Sequence, residues 1–243
     1  MARARTFALR ALSATPMATV VRVGTPEPVA AITFDDGPDA LWTPQVLDVL
    51  EAHGALGTFF VIGKYVESHD KIMHRMAGAG HAIGNHSWDH PCFPLISSKE
   101  RRRQVLACAA ALEPYTSGPR LFRPPYLDQT VASSFDVWRL GHQVIAASLH
   151  ANDWEEHDAN YILQRLNAGL GHGEIVMLHD VIRDRQTSGR QAMIRALDMF
   201  LSRWRQTYRF VTIPELLRTG RPMRQMWVKR PTTSRRLRLT GGL

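Results

Sequence analysis

The stretch Val29-Ala30-Ala31-Ile32-Thr33-Phe34-Asp35-Asp36-Gly37-Pro38 decides how this chain is read. An apolar run of strand length stops abruptly at two acids and a Gly-Pro turn signal. Two adjacent carboxylates at a strand end repel each other, so something nearby has to offset the repulsion. About fifty residues on, Gly84-Asn85-His86-Ser87-Trp88-Asp89-His90-Pro91 supplies two imidazoles four residues apart. One carboxylate and two imidazoles make a set of three metal ligands that leaves positions open for water and substrate. The second carboxylate is then free to serve as a base.

Outward from this stretch, short apolar runs alternate with helix-length segments. Strands are expected at Val29–Phe34, Thr58–Ile62, His81–Asn85, Arg120–Phe122, Gln143–Ala147, Glu174–Leu178 and Arg209–Ile213. Helix starts are marked by Thr43-Pro44 ahead of Gln45–His53, by the capping-box pattern Ser97-Ser98-Lys99-Glu100 ahead of Arg101–Leu112, and by Asp158 ahead of Ala159–Leu170. Gln191–Gln206 is amphipathic. Such alternation predicts an α/β protein, either a βα barrel or a doubly wound sheet. The polar residues choose between them. Asp35 and Asp36 follow the first strand, His86 and His90 the third, Arg123 the fourth, Asp153 the fifth and His179 the sixth. Ionisable groups at five strand ends would meet on one rim of a barrel, where barrel chemistry gathers. A dinucleotide-binding sheet would need a Gly-rich turn after an early strand, and Gly37-Pro38 is not one.

Composition narrows the class further. With 44% hydrophobic and 21% charged residues in 243, the chain is an ordinary globular protein long enough for a sizeable core. Cys92 and Cys108 are too few for a disulfide framework and have no Cys-x-x-Cys spacing. The net charge of +8 is confined to the ends: residues 1–24 carry four arginines and no acid, residues 218–243 eight basic residues and no acid. The stretch between them is slightly acidic. The expectation is a basic N-terminal extension over 1–28, one domain over 29–217 and a basic tail over 218–243. These ends read as solvated tails, with contact to an anionic surface as the sharper and less favoured alternative, and no specific nucleic-acid partner. Arg10 and Pro16 interrupt the early apolar residues, so neither a signal peptide nor a membrane-spanning segment is read, and a cytoplasmic location is the expectation.

Five short motifs stand in order: Thr33-Phe34-Asp35-Asp36-Gly37-Pro38, His86-Ser87-Trp88-Asp89-His90-Pro91, Arg123-Pro124-Pro125-Tyr126, Asp153-Trp154, and Ile175-Val176-Met177-Leu178-His179-Asp180. In this the chain resembles the polysaccharide deacetylases with a NodB-homology domain, carbohydrate esterase family four. The resemblance implies a distorted (β/α)7 barrel and hydrolysis of an N-acetyl group on an amino-sugar oligo- or polysaccharide. It implies that Asp36, His86 and His90 hold one divalent metal, expected to be zinc. Asp35 would be the base, oriented by Arg123. His179, paired with Asp153, would protonate the departing amine, and the Tyr126 backbone N–H would help hold the oxyanion. Leu178 would line the pocket for the acetyl methyl.

The chain departs from that family's pattern twice. Six residues before Asp153, where a Trp often walls the acyl pocket, stands Ala147, and Leu127 stands where Gly usually follows the Tyr. The first would widen the pocket unless another residue, such as Trp154 or Trp88, supplies the wall. The second restricts the backbone beside the oxyanion donor. A C–N hydrolase acting on a non-sugar amide and a catalytically silent carbohydrate-binding barrel are the alternatives. A zincin is excluded, because Ser87 stands where that motif needs Glu.

Overall fold

The apolar run forms strand β2 (Val29–Asp35), fully buried, at the middle of a curled parallel sheet. This is a computed structural model, and it describes residues 11–155, 157–183, 189–226, 228, 229 and 231. The other strands in chain order are β1 (Thr19–Gly24), β3 (Gly57–Val61), β4 (Ala82–Asn85), β5 (Leu121–Phe122), β6 (Gln143–Val144), β7 (Leu149–His150), β8 (Ile175–His179), β9 (Arg209–Val211) and β10 (Arg221–Gln225). The helices are α1 (Trp42–Ala52), α2 (Asp70–Gly78), α3 (Ser98–Leu112), α4 (Val131–Arg139), α5 (Ala159–Gly169), α6 (Gln191–Trp204) and the short α7 (Ile213–Leu216). Strands pair in the order β6-β5-β4-β3-β2-β8-β7, all parallel, and β9 adds to the start of β2. Only residues 145–148 separate β6 from β7, the two ends of this path, so the chain itself closes the curl. This is the distorted seven-stranded βα barrel expected. The single strand expected at Gln143–Ala147 is instead two short ones, split by a bend at Ser148.

Side-chain alternation divides the apolar residues into two layers. Ile32 and Phe34 of β2, with Val176 and Leu178 of β8, face outward and pack with Val46, Leu47 and Leu50 of α1 and Leu197 and Phe200 of α6. Val29 and Ala31 of β2, Phe60 of β3 and Ile175 of β8 face inward and form a second cluster with Val20, Val23, Ile213 and Leu216. Thr33 and Asp35 continue the inward face, which carries polar groups into the barrel mouth.

The flanking segments are not free tails where they are described. β1 and β10 pair antiparallel, from Thr19 opposite Gln225 to Gly24 opposite Arg221, and Val20 and Val23 are fully buried. Arg22, one of the excess charges, reaches Glu174 at 3.0 Å. Gly173 lies against this strand with φ +74°, and a Cβ there would stand 1.8 Å from the Val23 carbonyl oxygen, so glycine is required. β1 therefore completes the inner core, with β10 paired along it.

Two of the expected caps are present. Ser97 accepts the Glu100 N–H at 3.2 Å, and Asp158 accepts the Tyr161 N–H at 2.8 Å. Thr43 is not a cap. Asp39 Oδ1 accepts the N–H groups of Leu41 and Trp42 at 2.9 Å each, and Thr43 donates to Asp180 at 2.5 Å. Among the described residues no helix is long and apolar enough to cross a membrane.

Candidate active site

Register places Asp35 directly opposite His179 across the β2–β8 pair, so two polar groups from distant motifs share the barrel mouth. Arg123, fully buried, points into the same space and donates Nη1 to Asp35 Oδ1 at 2.7 Å and to Thr33 Oγ1 at 2.6 Å. Its Nη2 donates to the Ala146 carbonyl at 2.9 Å, and the guanidinium lies 4.1 Å over the Phe60 ring. Burial lowers the Arg123 pKa, opposed by the Asp35 charge. Nη1 thus fixes one carboxylate oxygen of Asp35 while Nη2 is tied to the backbone.

Immediately after the strand the chain turns, and Asp36 adopts φ +78°. Its Oδ1 lies 3.4 Å from His86 Nε2 and 3.2 Å from His90 Nε2. His86 Nδ1 is 2.7 Å from the Arg123 carbonyl. A carbonyl only accepts, so Nδ1 donates here, and in the neutral ring Nε2 is the nitrogen left to ligate a metal. Ser87 and His90 also have positive φ, 69° and 66°, a conformation that costs non-glycine residues about 1–3 kcal/mol each. A hydrogen-bond cage offsets it. Asn85 Oδ1 accepts the Ser87 N–H at 2.8 Å, Ser87 Oγ accepts the His90 N–H at 3.1 Å, and Gln104 Oε1 accepts the N–H groups of Trp88 and Asp89 at 2.9 and 3.0 Å.

Among the described residues, Asp36, His86 and His90 form the group able to hold a metal ion, with ligand atoms within 4.8 Å of one another. Asp36 Oδ1 is buried without a hydrogen-bond partner. Burial alone would raise its pKa, but the charge of His90 and the contacts with both imidazoles hold the carboxyl well below the usual range. A buried carboxylate oxygen left without a hydrogen-bond partner and set against two imidazole nitrogens fits a cation.

His179 donates its backbone N–H to Asp153 Oδ2 at 2.8 Å and its ring Nδ1–H to Asp153 Oδ1 at 3.1 Å. Arg190 donates Nη2 to Asp153 Oδ2, Nη1 to the Asp153 carbonyl at 2.8 Å and Nε to the His179 carbonyl at 3.0 Å. Burial would lower the pKa of His179, yet Asp153, then Asp36 and Asp35, raise it to about 9. Burial works against ionisation of Asp153 too, but His179 and Arg190 hold its pKa below the ordinary value. Arg190 escapes sequence reading: it belongs to no motif, and only its burial against Asp153 marks it.

The remaining expected site residues divide. Trp154 stands at the mouth, its ring edge-on to His179 with centroids 5.6 Å apart. The Tyr126 ring is edge-on to His90 at 4.6 Å, and its backbone has φ +59°. Leu178 is not at the mouth. It is one residue from His179 on a strand, so it faces outward into the sheet–helix layer, fully buried. Met177, two residues from His179, shares the inward face, and period-two alternation alone would have found it. Ala147 packs against the inner apolar cluster with Ile145 and Val20, apart from the aromatic group at His179.

Two neighbours lock the turn after β2. Asp180, fully buried, accepts from Thr43, and burial pushes its pKa up to about 7. A Cβ on Gly37 would stand 2.2 Å from Asp180 Oδ2, which explains the glycine of that turn. Arg183 donates to the Asp36 and Pro38 carbonyls at 3.3 and 2.5 Å and stacks 3.8 Å over Tyr65.

Comparison with known proteins agrees with this geometry. The family model described as polysaccharide deacetylase matches residues 22–145. A peptidoglycan-N-acetylglucosamine deacetylase of Bacillus cereus is 36% identical over 197 residues, covering 79% of this chain and 89% of that protein. The peptidoglycan-N-acetylglucosamine deacetylase PgdA of Listeria monocytogenes is 36% identical over 190 residues, 76% of this chain, and the match spans only 38% of that longer protein. Among solved structures, the Bc1960 peptidoglycan N-acetylglucosamine deacetylase superposes with a TM-score of 0.77 at 28% identity, covering 84% of this chain and 95% of its own. Five ordered motifs, a barrel that gathers them at one mouth and relatives matched over most of the chain lead to one assignment: this protein belongs to the polysaccharide deacetylase family.

Proposed function

We propose that this protein is a metal-dependent hydrolase that removes N-acetyl groups from amino-sugar oligo- or polysaccharides, with zinc as the ion held by Asp36, His86 and His90. The observation that carries the reading is the Asp36–His86–His90 cluster at a mouth where Asp35 stands directly opposite His179, whose pKa is raised. A divalent ion in this cluster supplies Lewis-acid polarisation of the amide carbonyl and lowers the pKa of water to near neutrality.

The chain's own groups do the rest. Asp35, held by Arg123 at 2.7 Å, is the base that takes a proton from the attacking water. The backbone N–H of Tyr126 is the protein donor to the developing oxyanion. His179 carries its proton on the far side from Asp153 and delivers it to the amine nitrogen, which cannot leave as an anion. Its pKa near 9 keeps that proton in place at neutral pH. Trp154, edge-on to His179, and Met177, on the inward face of β8, line the acyl pocket in this reading in place of Leu178 and Ala147.

The test is acetate release and free amine formation when zinc-loaded protein meets chitooligosaccharides and peptidoglycan fragments. Both products from the sugars support the reading. Turnover of simple amides alone would assign the protein to non-sugar C–N hydrolysis, and metal binding without turnover on any amide would make it a silent barrel.

A further inference from the structure

Tyr126 and Leu127 are consecutive non-glycine residues with positive φ, 59° and 52°. Each costs about 1–3 kcal/mol, and such conformations persist only where the surroundings over-determine them. Within the turn, Leu127 N–H reaches the Pro124 carbonyl at 2.9 Å and Asp128 N–H the Pro125 carbonyl at 3.0 Å. The outside support comes from the C-terminal segment beyond β10. Lys229 exchanges both backbone hydrogen bonds with Gln129, at 2.7 and 3.0 Å. Its Nζ donates to the Tyr126 carbonyl at 2.8 Å and lies 3.6 Å from Oδ1 of the buried Asp128. Gln129 in turn donates to Thr19 Oγ1 of β1 at 2.7 Å and accepts from Ser134 at 3.2 Å. β1 and the segment beyond β10 therefore converge on this one turn.

We propose that Lys229 is a positioning residue for the deacetylation reaction: the C-terminal segment straps the Tyr126 turn, and the Lys229 ammonium, by holding the Tyr126 carbonyl, fixes the peptide geometry that aims the Tyr126 N–H. The proposal rests on the assignment of that N–H as oxyanion donor. The physical reason is local. Pro124 and Pro125 stiffen the chain upstream, so Tyr126 pivots between a rigid pair and its own carbonyl. Holding the carbonyl restrains that pivot. The side chain at position 127, where glycine would relax the turn, increases the need for the strap.

The experiment compares full-length, zinc-loaded wild type with Lys229→Met and Lys229→Arg, reading kcat and KM on a chitooligosaccharide, bound metal, and hydrogen exchange across residues 123–130. Loss of an oxyanion donor outright costs about 100–1,000-fold in kcat, and a misaimed donor less, so Lys229→Met is expected to lower kcat about tenfold with KM within about twofold. Exchange across 123–130 should quicken, metal content should stay at wild-type level, and Lys229→Arg should restore most of kcat. A kcat within about twofold of wild type in Lys229→Met overturns the proposal, as does a kcat loss matched by an equal loss of metal. If wild type itself proves inactive, quickened exchange in Lys229→Met upholds the strap and sinks only the reading on which its catalytic role rests, while unchanged exchange overturns the strap as well.

Discussion

Replacing Asp153 by Asn tests the proton donor most directly. Asp153 Oδ1 lies 3.1 Å from His179 Nδ1, in a pair almost wholly withdrawn from water. Two unit charges about 4 Å apart at an effective dielectric of ~20 interact by about 4 kcal/mol, roughly three pKa units at ~1.36 kcal/mol each. Asn keeps an oxygen able to accept the Nδ1–H, which returns about one unit, so the displacement is about two units downward. His179 would move from about 9 to roughly 7. A bound cation cancels the Asp36 contribution in both proteins, so the displacement between them is the quantity to compare. The sign follows from the proton's role: activity needs protonated His179, so kcat/KM falls as pH rises through its pKa. The assay is kcat/KM against pH for both zinc-loaded proteins. The alkaline limb should shift about two units, with near wild-type rates on the acid side. Because the folded pKa exceeds the ordinary 6.5, His179 also stabilises the fold fully below pH 6.5, and this is lost as pH rises through about 9. The alkaline loss of melting temperature should therefore shrink in the variant. An unmoved limb with activity lowered equally at every pH would refute the pairing of Asp153 with a catalytic acid.

Other variants separate the remaining roles. Asp35→Asn should abolish turnover with metal still bound, whereas Asp36→Asn and His86→Ala should each lose about one equivalent of zinc by metal analysis. Equal metal loss in the Asp35 and Asp36 variants would contradict the division. Arg123→Met leaves Asp35 in the barrel mouth without its guanidinium and should destabilise the fold by about 3–5 kcal/mol in denaturant melts. Met177→Ala should raise kcat/KM for butyryl relative to acetyl amides by roughly 10-fold or more, since a methylene in an apolar pocket is worth about 1–3 kcal/mol. Leu178→Ala should leave that ratio alone and lower stability instead.

Much of the fold follows from short-range pattern. The run ending in Asp35-Asp36, the capping residues Ser97 and Asp158 and the amphipathic α6 are local signals, and each stands where its pattern places it. β1, β7 and β10 carry no such signal: two residues suffice for β7, and β1 and β10 exist because they pair with each other across nearly the whole chain. The charge excess at the ends gave no hint of this, since an arginine such as Arg22 can pair with Glu174 while its neighbours Val20 and Val23 enter the core.

From sequence alone come the seven-stranded barrel, the strand-end gathering of Asp35, Asp36, His86, His90, Arg123, Asp153 and His179, and the family resemblance, because strand periodicity and turn chemistry are properties of neighbouring residues. Tertiary structure decides the rest. It supplies Arg190 behind Asp153, places Arg183 and Asp180 on the turn after β2, and brings Lys229 to Tyr126 across 103 residues. It turns Leu178 outward and Met177 inward, and it packs the half-buried Ala147 against the inner apolar cluster. Contacts of this kind depend on which elements meet after the sheet has curled and closed, and no local pattern of residues records that meeting.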